Sequence, residues 1–340
     1  MFIVNSYALA VVLCCVTMLC WGSWGNTQKL AAKSWRYELF YWDYVIGMVL
    51  FALLLAFTLG SFGKEGHPFL ENISQISSQA FWSIVIGGVI FNASNILLSA
   101  STSIAGMSVA FPVGVGLALV LGVINNYREA IRQGTDPGNV TLLAIGVALV
   151  VAAVVCNGIA SGKKGGSEVS AKDQRKGIIL AILAGVIMSF FSAFVMRAMD
   201  LSNFAEPAAG KATPYTAIVV FTLAVFASNF IINTIVMKKP FVGEPVALRE
   251  YFKGDLKTHL VGMLGGAIWC LGTALSYISA EKAGAAISYA LGQGAPMVAA
   301  LWGVFIWKEF KGSGKQVYGL LAAMFCLFIA GLALIVVAGN

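Results

Sequence analysis

The chain has 340 residues, of which 59% are hydrophobic and only 11% charged, whereas a soluble globular domain runs at about 45–50% apolar and about 25% charged residues. That balance excludes a water-soluble enzyme. The 22 Lys and Arg and 15 Asp and Glu fall mostly in short clusters separated by apolar stretches of about 18–25 residues, the length that spans a bilayer core, so the chain reads as a polytopic membrane protein. Its formal charge of +7 sits at the ends of those stretches, where orientation in the membrane rather than nucleic-acid binding explains it. Cys14, Cys15, Cys20, Cys156, Cys270 and Cys326 lie inside apolar runs, spaced as neither a metal site nor a disulfide framework.

In chain order, the apolar stretches predict ten spanning helices over residues 7–28, 42–62, 81–103, 106–126, 140–160, 177–199, 214–237, 258–280, 283–307 and 317–338. The first is a true span rather than a cleaved signal: Met1 to Tyr7 hold no Lys or Arg, the run is too long, and no small-x-small cleavage pattern precedes Lys29. The third and fourth spans, and the eighth and ninth, are separated only by tight turns at Gly106 and Gly284, which makes each pair a helical hairpin. The one hydrophilic stretch is a glycine- and charge-rich linker over 162–176. It divides the chain into a five-helix unit at 1–161 and a second at 177–340.

The two units are related in sequence. Gly87-Gly-Val-Ile-Phe91 recurs as Gly265-Gly-Ala-Ile-Trp269, Ala105-Gly106 as Ala283-Gly284, and Gly114-x-Gly116 as Gly292-x-Gly294, all at one constant shift; Arg128-Glu129 matches Lys308-Glu309 after a two-residue insertion. A shared register of this kind is the signature of an internal repeat. Five spans per copy force the second copy to enter the membrane from the opposite side, giving inverted repeats and suggesting alternating access. The loops after spans 1, 3, 5, 7 and 9 hold three, none, five, five and three Lys or Arg. By the positive-inside rule these loops are cytoplasmic and both termini lie outside.

Catalytic signatures are missing from the sequence. His67 and His259 are its only histidines, neither with an acidic partner at a motif spacing, and no zinc, nucleophile-elbow, phosphate-loop or dinucleotide motif occurs. No cofactor or metal is expected, and transport has to draw on gradients. Polar groups inside the spans are the candidate binding residues. Asn92, Asn95, Ser99 and Thr102 form one stripe on the third span, either as glue between helices or as a substrate site; for Asn92 and Asn95 the site is the preferred reading. The repeat shift carries Asn95 onto Thr273 and Phe111 onto Tyr289, and Gln293 follows Tyr289 by one turn. Gln293, between Gly292 and Gly294, offers a donor and an acceptor to a neutral polar solute, or else bonds to backbone opened by the glycines and Pro296. Trp21 and Trp269 are candidate stacking faces, whereas Trp24 is read as an interfacial anchor. Asp43 and Glu38 are the proton-coupling candidates; the bland alternative leaves them solvated or paired with Lys33 or Arg36. Arg197 is read as snorkelling to the outer surface and Glu309 as paired with Lys308 and Lys311. Pro112 and Pro296 bend their helices.

Several stretches resemble the drug/metabolite transporter superfamily, in its ureide permease and rhamnose–proton symporter branches. Ala283-Gly284 through Gln293, Pro296, Val298, Trp302-Gly303 and Glu309 is similar to the ureide permease pattern, as are Trp24 and Asp43-Tyr44. Asn95-Ile96, Gly106-Met-Ser108, Gly114, Gly116 and Lys33-x-Trp35-x-x-Glu38 look more like the rhamnose symporter. The linker is far shorter than the long loop of ureide permeases, and the ninth span lacks the symporter's histidines. The resemblance implies ten helices in two inverted repeats around a central pocket, often with proton-coupled uptake.

Residues and resemblance together predict an all-α integral membrane protein of the plasma (inner) membrane. Its partners are the lipid bilayer, protons and a small neutral polar metabolite, a sugar or a ureide- or nucleobase-like compound, carried by secondary active symport. The alternatives are an exporter of amphipathic metabolites or drugs and a non-transporting membrane scaffold subunit.

Overall fold

The computed structural model describes residues 1–32, 35–63, 65–163 and 171–339, with the side chains at 107–109, 111, 112 and 171 left outside that set. Lys33, the middle of the linker at 164–170, and the side chains of Phe111 and Pro112 therefore fall outside the described residues. Regular structure among the described residues is helical. In order it comprises α1 (Tyr7–Ser23), α2 (Gly25–Ala31), α3 (Tyr37–Phe57), α4 (Phe69–Gln75), α5 (Ser78–Ala105), α6 (Met107–Arg132), α7 (Val140–Lys163), α8 (Ala171–Ala198), α9 (Pro214–Lys238), a 3-10 segment (Leu248–Lys253), α10 (Leu256–Ala283), α11 (Ala285–Gly292), α12 (Ala295–Leu301), a π turn (Trp302–Ile306) and α13 (Lys315–Ala338).

The helices start where a polar side chain can take up a free backbone N–H. Ser6 accepts from the Leu9 amide, Ser77 from Ala80, Thr213 from Thr216 and Asp255 from Thr258. Pro214 opens α9, where its missing donor costs nothing. Among the described residues, nine helical stretches are long and apolar enough to cross a membrane. α6, at 26 residues, stands where the fourth span is predicted. The first and ninth predicted spans are not continuous helices: one is divided at Trp24, the other at Gln293 and Gly294.

Both hairpin turns close on glycine in a conformation that L side chains rarely adopt, Gly106 at φ 82° and Gly284 at φ 79°. The long helices before them, α5 and α10, have 28 residues each. α5 packs on α8, α6 on α8, α7 on α13, and α3 and α1 on α10. The α3–α10 crossing is the closest. A Cβ placed on Gly266 would lie 1.8 Å from the Tyr44 carbonyl oxygen, and one on Gly47 would lie 2.0 Å from that of Met263. Small residues let helix backbones meet in this way, which replaces the hydrophobic drive missing in lipid.

Polar ties gather at the two ends of the bundle. At one end the Phe2 amide donates to the Leu59 carbonyl (2.7 Å), the Asn139 amide to Ala338 (2.7 Å), and Tyr215 Oη to Phe2 (3.0 Å). At the other, Lys29 pairs with Glu309, Arg36 donates to the Glu244 carbonyl, and Lys176 donates to the Phe241 carbonyl. The second end carries the basic loops, and residues near both chain ends lie at the first. Two surface expectations change. Glu309 reaches across to Lys29 on α2. Arg197 does not run free to the surface: its Nε lies 3.3 Å from Glu129, and its guanidinium stacks on Phe194.

Glu38 is paired with Arg36 and its side chain is fully buried, while the Arg36 side chain is 36% exposed. Arg36→Ala is expected to cost about 2 kcal/mol, less than the about 3–5 kcal/mol of a wholly buried pair because water reaches one side of this one. Adding Glu38→Gln is expected to recover most of the loss, since no buried charge is then left alone. Thermal unfolding of the three variants in detergent measures this.

Candidate functional site

Both helix interruptions border one cavity. α1 ends at Ser23 and α2 resumes at Gly25, with Trp24 between them. α11 ends at Gly292, and Gln293 and Gly294 form a turn before α12 starts at Ala295-Pro296. The local sequence dictates the second break: two glycines disfavour helix, and Pro296 cannot donate to the Gly292 carbonyl four residues earlier. Interrupted helices of this kind mark binding sites in transporters, because they leave backbone groups open toward a cavity.

The cavity is small, about 40 Å³, and is bordered by Trp21, Trp24, Asn95, Trp269 and Gln293, with Phe91, Phe191 and Met188 among its apolar walls. The Trp21 and Trp269 indoles lie nearly parallel, 13° apart with ring centroids at 6.3 Å. Trp21 is oriented by its Nε1, which donates to Thr273 Oγ1 at 3.1 Å, and Thr273 in turn donates to the Trp269 carbonyl. Phe221 stacks near Trp269 with its centroid at 6.0 Å. Asn95 donates to Tyr41 Oη at 3.2 Å and is 1% exposed.

The predicted site residues thus separate into three groups. Trp21, Asn95, Trp269 and Gln293 meet at the cavity. Thr273 and Tyr289 stand behind Trp21, the first as its hydrogen-bond acceptor, the second edge-on at 6.4 Å with its hydroxyl donated to the Ala118 carbonyl. Asn92 is turned toward α9, where it donates to Ser228 Oγ at 2.9 Å while its own carbonyl oxygen is buried without a partner. A spacing of three residues moves a side chain about 60° round a helix and about 4.5 Å along it, so Asn92 and Asn95 need not share a neighbour. Thr102 bonds back to the Leu98 carbonyl within its own helix. Trp24, read as an anchor, is 4% exposed and lines the cavity.

The two carboxylates of α3 are both buried. Asp43 accepts from Tyr251 Oη at 2.6 Å and lies 2.9 and 3.0 Å from His259 Nδ1. The sequence gives no local sign of this cluster, because Asp43 lies more than 200 residues from both Tyr251 and His259. Among the described residues, no three His, Cys, Asp or Glu side chains gather as a metal site.

Comparison with known proteins agrees with this architecture. Residues 161–338 match the family model for ureide permease. Ureide permease 1 of Arabidopsis thaliana is 23% identical over 98% of this chain and 98% of its own, and ureide permease 4 of the same plant is 22% identical over the same shares. An L-rhamnose-proton symporter of Yersinia pestis bv. Antiqua (strain Antiqua) is 26% identical over 59% of this chain and 58% of its own. A crystal structure of a protein superposes with a TM-score of 0.58 over 96% of both chains at 15% identity, which shows a shared fold. The family model covers half of the sequence, and with helices long and apolar enough to cross a membrane this multi-pass membrane transporter, which is not an enzyme, belongs to the ureide permease family.

Proposed function

We propose that the protein is a secondary active carrier, driven by proton symport, for a small uncharged metabolite with a planar, amide-rich ring, that is, a ureide- or nucleobase-like compound. The observation that carries the reading is the pair of near-parallel indoles at 6.3 Å bordering the same cavity as the Asn95 and Gln293 carboxamides. A flat ring held between two others needs about 7 Å between their planes, two contacts of about 3.5 Å each, so in this reading Trp21 and Trp269 part to receive it. The carboxamides match the N–H and C=O groups of its edge. The relatives' names, ureide permease and L-rhamnose-proton symporter, support a neutral solute and proton coupling.

Asn95 links the cavity to α3 through Tyr41, two residues before Asp43. Asp43 and Glu38 are the coupling residues in this reading. The architecture we propose is ten spanning helices, with α6 as the tenth, in two inverted repeats at 1–161 and 177–340 joined by the linker 162–176. α5 and α10 support it by their equal lengths and matching glycine turns, and Glu129 and Glu309 by bridging to other helices at opposite ends of the bundle. The basic end is cytoplasmic in this arrangement, the chain ends are outside, and the host is the plasma (inner) membrane.

A thermal-shift screen of the purified protein against ureides, nucleobases and sugars tests the substrate class. A planar amide is expected to raise the melting temperature, by mass action on the state that binds it. Uptake of that compound into proteoliposomes under a pH gradient is expected to be abolished by a protonophore. Stabilisation by sugars alone rejects the planar-ring assignment, and the apolar walls of Phe91, Phe191 and Met188 then favour an exporter of amphipathic compounds if gradient-driven uptake is also missing.

A further inference from the structure

Asp43 holds a side chain with no exposure to solvent, and both of its partners come from distant parts of the chain. Tyr251 belongs to the 3-10 segment between α9 and α10, and His259 to the first turn of α10. Trp35 closes over them, its centroid 4.7 Å from the His259 ring and 5.7 Å from that of Tyr251. The segment 239–255 therefore lies fastened across the basic end of α3 and α10, with Arg36 holding its Glu244 carbonyl as a second tie. No Lys or Arg pairs with Asp43 among the described residues; its one partner able to carry positive charge is His259.

We propose that His259 and Asp43 hold the coupling proton as a pair, and that Tyr251 makes the segment 239–255 a latch that reports whether the proton is present. This rests on the proton-coupled reading above. With the proton bound, imidazolium and carboxylate sum to zero charge and the latch stays shut. His259 is 19% exposed by side chain and Asp43 not at all, so the imidazole is where water at the basic end meets the pair. The step is a proton transfer and nothing else: one N–H bond of the imidazolium breaks, the proton passes to water, and the electron pair stays on nitrogen. A net negative charge is then left in a buried place, which is costly. Lifting the segment lets water reach Asp43 and removes that cost.

The other charged groups around the pair are already satisfied. Glu38 on α3 is held by Arg36, Asp255 caps α10 through the Thr258 amide, and Glu250 pairs with Lys253 and Arg249 on the outer side of the segment. Burial, with the Asp43 carboxylate adding to it, pushes the Tyr251 hydroxyl well above its usual range, so it remains a hydrogen-bond donor throughout neutral pH.

Limited trypsin cleavage at Arg249 and Lys253, side chains 83% and 65% exposed, reads the latch without any substrate. The full-length protein and His259→Gln, which keeps a hydrogen-bonding side chain but cannot titrate, are compared at about pH 6 and about pH 8.5, either side of the usual histidine range. The ratio of their cleavage rates cancels the protease's own pH dependence. It is expected to rise about fivefold from the lower to the higher pH, as the wild-type segment opens, while Tyr251→Phe is cleaved faster at both. His259→Gln is also expected to lose uptake driven by a pH gradient and to keep exchange of labelled for unlabelled substrate. A ratio that stays flat with pH, or full gradient-driven accumulation by His259→Gln, overturns the proposal. Wild-type protein that shows no gradient-driven uptake at all overturns the coupling reading instead, and the cleavage ratio then judges the latch alone.

Discussion

Replacing Gln293 with Leu is expected to lower the efficiency of substrate uptake roughly 10- to 100-fold, the effect of leaving one polar edge of a bound solute without a partner at about 1–3 kcal/mol. Gln293 borders the cavity at the break between α11 and α12, and Leu has nearly the same volume, so the cavity keeps its shape and loses its donor and acceptor. The melting temperature without substrate is expected to stay within roughly 2 °C, because the break is imposed by Gly292, Gly294 and Pro296 rather than by this side chain. Asn95→Leu is expected to act in the same direction but also to disturb Tyr41, which Asn95 contacts, so some stability is lost as well. Initial uptake rates across substrate concentration, with melting curves for each variant, decide the matter. Unchanged uptake beside a fall in stability for Gln293→Leu would mean that the residue is part of the scaffold and not of the site.

The second large effect concerns the fold. Gly266→Ala is expected to cost about 3 kcal/mol or more, since its Cβ would stand 1.8 Å from the Tyr44 carbonyl oxygen and 2.8 Å from the Met48 nitrogen, both backbone atoms that no rotamer change can clear. α3 and α10 would have to part, and the buried contact of Asp43 with His259, made across that crossing, would go with them. Gly319→Ala supplies the control of opposite sign. Gly319 lies within α13 and a Cβ there meets nothing within 4 Å, so alanine is expected to gain about 0.5–1 kcal/mol from better helix propensity. Size-exclusion profiles after a heat challenge rank the two variants against the wild type. A stable, monodisperse Gly266→Ala would show that the crossing yields more easily than packed backbones do.

What the sequence reveals depends on range. Apolar runs bounded by charge place the helices within a few residues, because the length needed to cross a bilayer is a local property. The helices overrun the predicted spans at several ends, most plainly where α3 and α8 begin and α6 ends; at α5 and α10, Ser77 and Asp255 start the helix earlier than hydropathy does. The break at Gln293 and Gly294 is half visible: Gly, Gly and Pro within five residues warn of a bend, and in the structure a two-residue turn there separates α11 from α12. Trp21, Asn95, Trp269 and Gln293 are readable as rare polar or flat groups at depth, and the cavity collects them. The orientation of Asn92 is not readable, since the helix facing it and the Ser228 hydroxyl it finds are set by packing. Nor is the role of His259, whose carboxylate partner is more than 200 residues distant and joins it only after α3 and α10 have crossed.

The paired interruptions also set where the protein can flex. Beyond its break, the ninth span is stitched to α1 and α2: Trp302 Nε1 donates to Ser23 Oγ at 2.9 Å, Trp307 Nε1 donates to Asn26 Oδ1 at 2.7 Å, and Lys29 pairs with Glu309. α2, α12 and the π turn thus form one lever, with its two fulcrums at Trp24 and at Gln293-Gly294. The helical pattern is loosened at the fulcrums rather than lost: the Trp24 amide still reaches the Cys20 carbonyl and the Gln293 amide that of Tyr289, while the Gly294 amide turns to Leu291 three residues back, and both fulcrums touch the cavity. On the function proposed above, a solute bound there would touch both fulcrums at once, so its binding would bear on the tilt directly and no signal would have to cross the bundle.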